Sequence, residues 1–142
     1  MYRHILIPTD GSELAEHGVT HGLALAKSLG ARASVIFVVE PFSEMTGRML
    51  EAVARYAELR KEQAASVLDR AARAAKEAGV SCQTIQVESG QPHQAIIATA
   101  RDKGCDLIVM SSHGRSGLTM LLIGSVTNKV LAHAKTPVLV CQ

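Results

Sequence analysis

Residues 4–12 read His4-Ile5-Leu6-Ile7-Pro8-Thr9-Asp10-Gly11-Ser12. The first five form a short apolar run ended by proline. An unbroken run of that kind suits a strand covered on both faces, whereas a half-exposed strand alternates. Thr9 to Ser12 are turn and cap residues. A helix is expected from about Glu13 to Leu29, with an apolar stripe of Leu14, Gly18, Gly22, Leu25 and Leu29 and with Gly30 as its stop.

The same alternation continues outward. Residues 33–39 (Ala-Ser-Val-Ile-Phe-Val-Val) are β-branched and aromatic and predict a second strand, stopped by Pro41. Residues 44–78 predict one long helix ended by Gly79. Met45, Met49, Val53, Tyr56, Leu59, Val67, Ala71 and Ala74 recur near helical spacing, and Arg55, Arg60, Lys61, Arg70 and Arg73 read as its solvated face. Residues 80–87 alternate as a half-exposed strand does. Pro92 opens a helix that ends near Gly104, 106–111 make a fourth strand, and 136–141 make the last after a glycine-rich loop and a helix. Strands separated by helical crossovers require a parallel sheet, and right-handed crossovers put helices on both of its faces. With 142 residues and no linker, one domain spanning 1–142 is expected.

Composition narrows the function. The net charge is +2, with two Tyr, two Phe and no Trp, so neither a basic surface nor a stacking platform for nucleic acid is supplied. The three cysteines (Cys82, Cys105, Cys141) form no Cys-x-x-Cys pair and read as reduced thiols. No signal peptide is visible, and no apolar run approaches the ~20 residues of a membrane helix. A soluble, cytoplasmic chain is the expectation.

In open parallel sheets, ligands bind outside the strand carboxyl ends where the strand order reverses. Three loops should meet there: Pro8 to Ser12, the residues after Val38, and Ser111-Ser112-His113-Gly114-Arg115-Ser116-Gly117 continuing to Gly124-Ser125-Val126-Thr127. Gly114 and Gly117 admit a close backbone approach. Gly124-Ser125 stands where a helix should begin, and a helix start favours phosphate. Ser125 and Thr127 add hydroxyl donors, and Arg115 adds a fixed charge. The plainer reading is that the glycines only make turns, that Ser125 caps a helix and that His113 stabilises its loop. Gly-x-x-x-x-Gly-Lys-Ser/Thr and Gly-x-Gly-x-x-Gly are both absent, which disfavours a P-loop NTPase and a dinucleotide enzyme. His17 and His21 are spaced for one helix face but lack the Glu and third ligand of a zinc site. No catalytic set is evident.

The opening 5–12 and the segment SSHGRSGLTMLLIGSVTNKVL (111–131), followed by Thr136-Pro137-Val138-Leu139-Val140, resemble the universal stress protein family over essentially the whole chain. ATP-binding members carry Gly-x2-Gly-x9-Gly-Ser/Thr. Gly114, Gly124 and Ser125 match with the nine-residue gap intact, while Ser111 replaces the first glycine. The resemblance implies a Rossmann-like five-stranded sheet in the order 3-2-1-4-5. It implies ATP or another adenine nucleotide, with Mg2+, as ligand. Pro8 and Val38 would contact the base. Thr9 lies in the first loop, and Asp10 would lie by the ribose and phosphates and help hold the metal. Ser111 to Gly117 would wrap ribose and phosphates, and Gly124, Ser125, Val126 and Thr127 would bind the phosphate tail. It further implies a homodimer paired through 136–141 and a regulatory role in stress. The alternatives are a slow ATPase and a stress protein that acts through partners without nucleotide.

Overall fold

The computed structural model describes residues 1–41, 50–113 and 123–142. Strand β1 (His4–Pro8) is buried at every position and pairs in parallel with β2 (Arg32–Val39) on one side and β4 (Leu107–Ser111) on the other. Strand β3 (Cys82–Glu88) adds to β2, and β5 (Val138–Cys141) adds to β4, also in parallel. The order β3-β2-β1-β4-β5 is the one the resemblance implies. Helices α1 (Glu13–Leu29), α2 (Leu50–Ala78), α3 (Pro92–Lys103) and α4 (Ser125–His133) fill the crossovers.

The unbroken hydrophobicity of β1 has a direct cause in these layers. Ile5 and Ile7 join Val35 and Phe37 in a core with α1 and α2, while Leu6 joins Ile36, Ile108, Ile96 and Val130 in a second core with α3 and α4. A strand with apolar material on both faces has no place for alternation.

Helix α1 starts and stops as its sequence predicts. Ser12 Oγ accepts the Ala15 N–H at 3.2 Å, and Gly30 closes the helix in the left-handed region. Its buried face differs from the expected stripe. Ala15, Gly18, Val19, Gly22, Leu23 and Ala26 face the sheet, while Leu14 and Leu25 are only half-buried and Leu29 is 39% exposed. The reason is close approach: a Cβ on Gly22 would lie 2.6 Å from Ile7 Cδ1. Small residues sit beneath the helix axis, and the larger Leu14 and Leu25 flank it.

Helix α2 also departs from the reading. Residues 44–49 of the expected helix, with Met45 and Met49, lie outside the described residues. Within α2, Ala64, Val67, Leu68, Ala71 and Ala75 point inward, while Tyr56, Leu59 and Ala74 are exposed. Arg60, expected in solvent, belongs to the buried face, with only 9% of its surface exposed. It stands four residues before Ala64 and seven before Val67, so helical spacing turns it inward with them.

The amino edge of the sheet is tied by Asp106, whose carboxylate accepts the Arg3 N–H at 2.9 and 3.1 Å and the His4 N–H at 3.0 Å. Nearby, His4 Nε2 is hydrogen-bonded to the buried Ser34 hydroxyl at 2.8 Å. Among the described residues, no helix is long and apolar enough to cross a membrane.

Candidate functional site

The chain leaves β1 toward β2 and β3 on one side and returns for β4 and β5 on the other, so the strand order reverses between β1 and β4. A cavity of about 540 Å³ opens there, at the carboxyl ends of the strands. That volume is within the range of small-molecule sites, roughly 300–1,000 Å³.

Its first wall is the turn after β1. Thr9 continues the strand by donating its N–H to Ile36 O at 2.9 Å. Asp10 Oδ1 then accepts the Ser12 N–H at 3.0 Å, and Thr9 Oγ1 accepts the Gly11 N–H at 3.2 Å. Gly11 carries a φ of +82°, and a Cβ there would meet Val67 Cγ2 at 3.0 Å. The turn therefore needs a glycine twice over, for its backbone and for the α2 side chains above it.

The second wall is the end of β4. Ser111 Oγ donates to His113 O at 2.6 Å, and Ser112 Oγ is hydrogen-bonded to His113 Nδ1 at 3.0 Å. Ser111, Ser112 and His113 are all buried. Ser111 and His113 line the cavity and Ser112 does not. His113 Nε2 is buried with no hydrogen-bond partner. The Ser112–His113 contact thus orients the imidazole ring; it is not a nucleophile pair open to the cavity.

The third wall is the start of α4, and here two expected roles change. Gly124 does not offer its N–H to a ligand, because it donates to Ser112 O at 2.7 Å. The Thr127 hydroxyl donates to Ser111 O at 2.9 Å, inside the protein. Both bonds lash α4 to the end of β4. Gly124 has φ −61° and ψ 155°, extended backbone, and its carbonyl accepts the first helical bond from Asn128 at 2.9 Å. The first-turn amides of Ser125, Val126 and Thr127 have no partner within the helix, as at any helix start. These three residues and Gly124 all line the cavity.

Apolar side chains make the remaining surface: Ile36 and Val38 from β2, Ile96 from α3 and Met110 from β4, continuous with the second core. Pro8, Thr9, Asp10 and Val38 line the cavity as expected, and Gly114, Arg115, Ser116 and Gly117 lie outside the described residues. Sequence reasoning missed Ile36, Met110, Ile96 and Pro92, although Ile36 and Met110 share strand faces with Val38 and Ile108 and period-two counting reaches them. It also missed Tyr56 and Arg60, which α2 brings across the rim. Among the described residues, no group of three or more His, Cys, Asp or Glu side chains is placed to hold a metal ion. His17 and His21 are exposed on α1.

The residues fit a ligand with an apolar body and an anionic end. One side of the cavity is hydrocarbon, and the other is lined by the first turn of α4, by His113, whose Nε2 is buried without a hydrogen-bond partner, and by Asp10 and Glu40.

Comparison with known proteins identifies the family and the fold. A universal stress protein of Methanocaldococcus jannaschii, MJ0531, is 37% identical over 143 residues, covering 100% of this chain and 83% of the relative. The universal stress protein UspA from Lactobacillus plantarum superposes with a TM-score of 0.90 at 22% identity, covering 99% of this chain and 98% of the other. A universal stress protein in complex with cAMP superposes with a TM-score of 0.75 at 23% identity, covering 99% and 97%. The model of the universal stress protein family matches residues 1–142. The fold, the whole-length match and the shared relatives lead to one statement: this chain belongs to the universal stress protein family.

Proposed function

We propose that the cavity binds an adenine nucleotide, ATP with its Mg2+ in the first instance, and that the protein is a nucleotide-responsive regulatory module of the cytoplasmic stress response. The observation that carries this reading is the pairing, in one cavity of about 540 Å³, of an apolar wall with the first turn of α4. The base would lie against Ile36, Val38 and Met110, near Pro8. The phosphates would take the amides of Ser125, Val126 and Thr127, where the helix dipole favours negative charge. His113 Nε2 would find its missing partner on the ribose or phosphates. Asp10 lines the same cavity and would face the metal ion that the phosphates bring. A relative in complex with cAMP supports the ligand class. Gly114 to Gly117, which the resemblance assigns to the binding loop, lie outside the described residues.

The chain would act as a homodimer joined through β5, whose residues are only partly covered and whose Leu139 is 38% exposed. An open edge strand with apolar side chains invites pairing.

Isothermal titration calorimetry with Mg-ATP tests the ligand. One site per chain is expected; no detectable heat at millimolar nucleotide overturns the reading. Gly124→Val, which adds a branched side chain to the cavity wall, is expected to abolish binding while the circular dichroism spectrum stays native.

A further inference from the structure

Among the described residues, Arg60 is a buried cation with no carboxylate paired to it. It occupies an inward register of α2, and its guanidinium lies 5.5 Å from the centroid of the Phe37 ring. Nη1 donates to Gln63 Oε1 at 2.5 Å, while Nε is buried with no hydrogen-bond partner. No carboxylate among the described residues forms an ion pair with it. Two other α2 arginines behave differently: Arg70 and Arg73 pair with Glu16 and Asp69, with side chains 59% and 75% exposed.

Burying a charge is costly unless an opposite charge or a full set of hydrogen bonds compensates. Lysine and histidine can relieve that cost by losing a proton. Arginine cannot, because its guanidinium stays charged across the range in which proteins fold. One neutral amide oxygen and one aromatic face compensate only in part. Arg60 lines the cavity together with Asp10 and Glu40, so an anionic group bound there can supply the rest. The cluster also leans on the turn after β1: a Cβ on Gly11 would lie 3.5 Å from Gln63 Nε2 and 3.7 Å from Phe37 Cε2.

We infer that Arg60 is an anion contact of the site, reaching from α2 to take a phosphate oxygen of the bound nucleotide. The inference rests on the nucleotide reading above and adds to it a specificity rule: affinity depends on the phosphate chain through α2 as well as through α4. Phe37 and Gln63 are positioning residues, the ring lying under the guanidinium and the amide oxygen accepting from Nη1.

The test is calorimetry on native protein, Arg60→Gln and Arg60→Met with Mg-ATP and adenosine, joined to thermal unfolding in tripolyphosphate. Arg60→Met keeps an apolar stem over Phe37, so it reports on charge if Arg60→Gln fails to fold. Both variants are expected to bind ATP about 10- to 100-fold more weakly, the scale of a lost charge-assisted bond, and adenosine within about 2-fold of native. Equal ATP affinity in native and variant proteins overturns the inference. So does a matching loss for adenosine, which would make Arg60 a stacking partner for the base. If native protein binds no ATP, the nucleotide reading fails separately. Protection by tripolyphosphate that is present in native protein and absent from Arg60→Met still sustains the anion contact, and its absence from both overturns it.

Discussion

His4 and Asp106, at the amino edge far from the cavity, set the acid response of the fold. Burial, and then the nearby charge of Arg32, lowers the His4 pKa below the usual imidazole value, so the native state favours the neutral ring. In the unfolded chain the ring takes up its proton near pH 6.5. The stability this provides is complete above that value and is lost as pH falls toward the native one. Burial pushes the Asp106 carboxyl upward, but the His4 and Arg3 N–H donors outweigh it and leave the pKa lowered. Its contribution is present above about pH 3.9 and is lost as pH falls through the native value. Melting temperature is therefore expected to decline in two stages on acidification. His4→Gln should flatten the stage below about pH 6.5, and Asp106→Asn should remove the more acidic one while costing about 1–2 kcal/mol at neutral pH. A melting temperature of His4→Gln that tracks the native profile from pH 7 to 5 would refute the first assignment. Cys105 is a thiol of the core, pushed up to about 11 chiefly by burial and then by Asp106, and so a poor nucleophile at neutral pH.

At the scale of elements, two contacts decide how closely helices sit on the sheet. Helix α1 lies on β1 through Gly22, where a Cβ would press on Ile7 Cγ1 at 2.8 Å and Cδ1 at 2.6 Å. Alanine is the better helix former by about 1 kcal/mol, but overpacking costs about 1–3 kcal/mol. Gly22→Ala is thus expected to lower the urea midpoint despite its helix propensity; an unchanged or raised midpoint would show that Ile7 yields freely. Helix α4 is held by the Thr127 hydroxyl on the Ser111 carbonyl. Thr127→Val keeps the shape and leaves that buried carbonyl short of a donor, at about 1–3 kcal/mol. It should also weaken the proposed nucleotide binding, because the first turn of α4 loses one of its anchors. Binding equal to native in this variant would mean that Gly124 to Ser112 alone places the helix.

At the scale of the whole molecule, both edges of the sheet are open, but they differ. Strand β3 alternates, with Gln83, Thr84, Gln86 and Glu88 exposed, whereas β5 reads Val-Leu-Val-Cys with Leu139 exposed. Only β5 offers an apolar edge, which is why the proposed dimer uses it. Leu139→Lys places a charge on that edge, the device by which sheets resist pairing. Native protein is expected to sediment as a dimer at tens of micromolar and Leu139→Lys as a monomer; a monomeric native protein would end the proposal.

Much of this was legible along the chain because it rests on local chemistry. The run Ile5-Leu6-Ile7, the caps Ser12 and Gly30 and the Pro92 helix start each act within a few residues, and the alternation of strand and helix then leaves few topologies open. Pro8, Thr9 and Asp10, read along the chain as one loop at the sheet edge, line the cavity. Packing distances decided what no local pattern encodes. The close approach of α1 turned Ala15, Gly18, Gly22 and Ala26 inward and left Leu14, Leu25 and Leu29 at its flanks, and the internal bonds of Gly124 and Thr127 gave them structural duties. Helical spacing put Arg60 in register with Ala64 and Val67, but what it meets there, the Phe37 ring and the cavity rim, is more than twenty residues away in the chain and was set by packing.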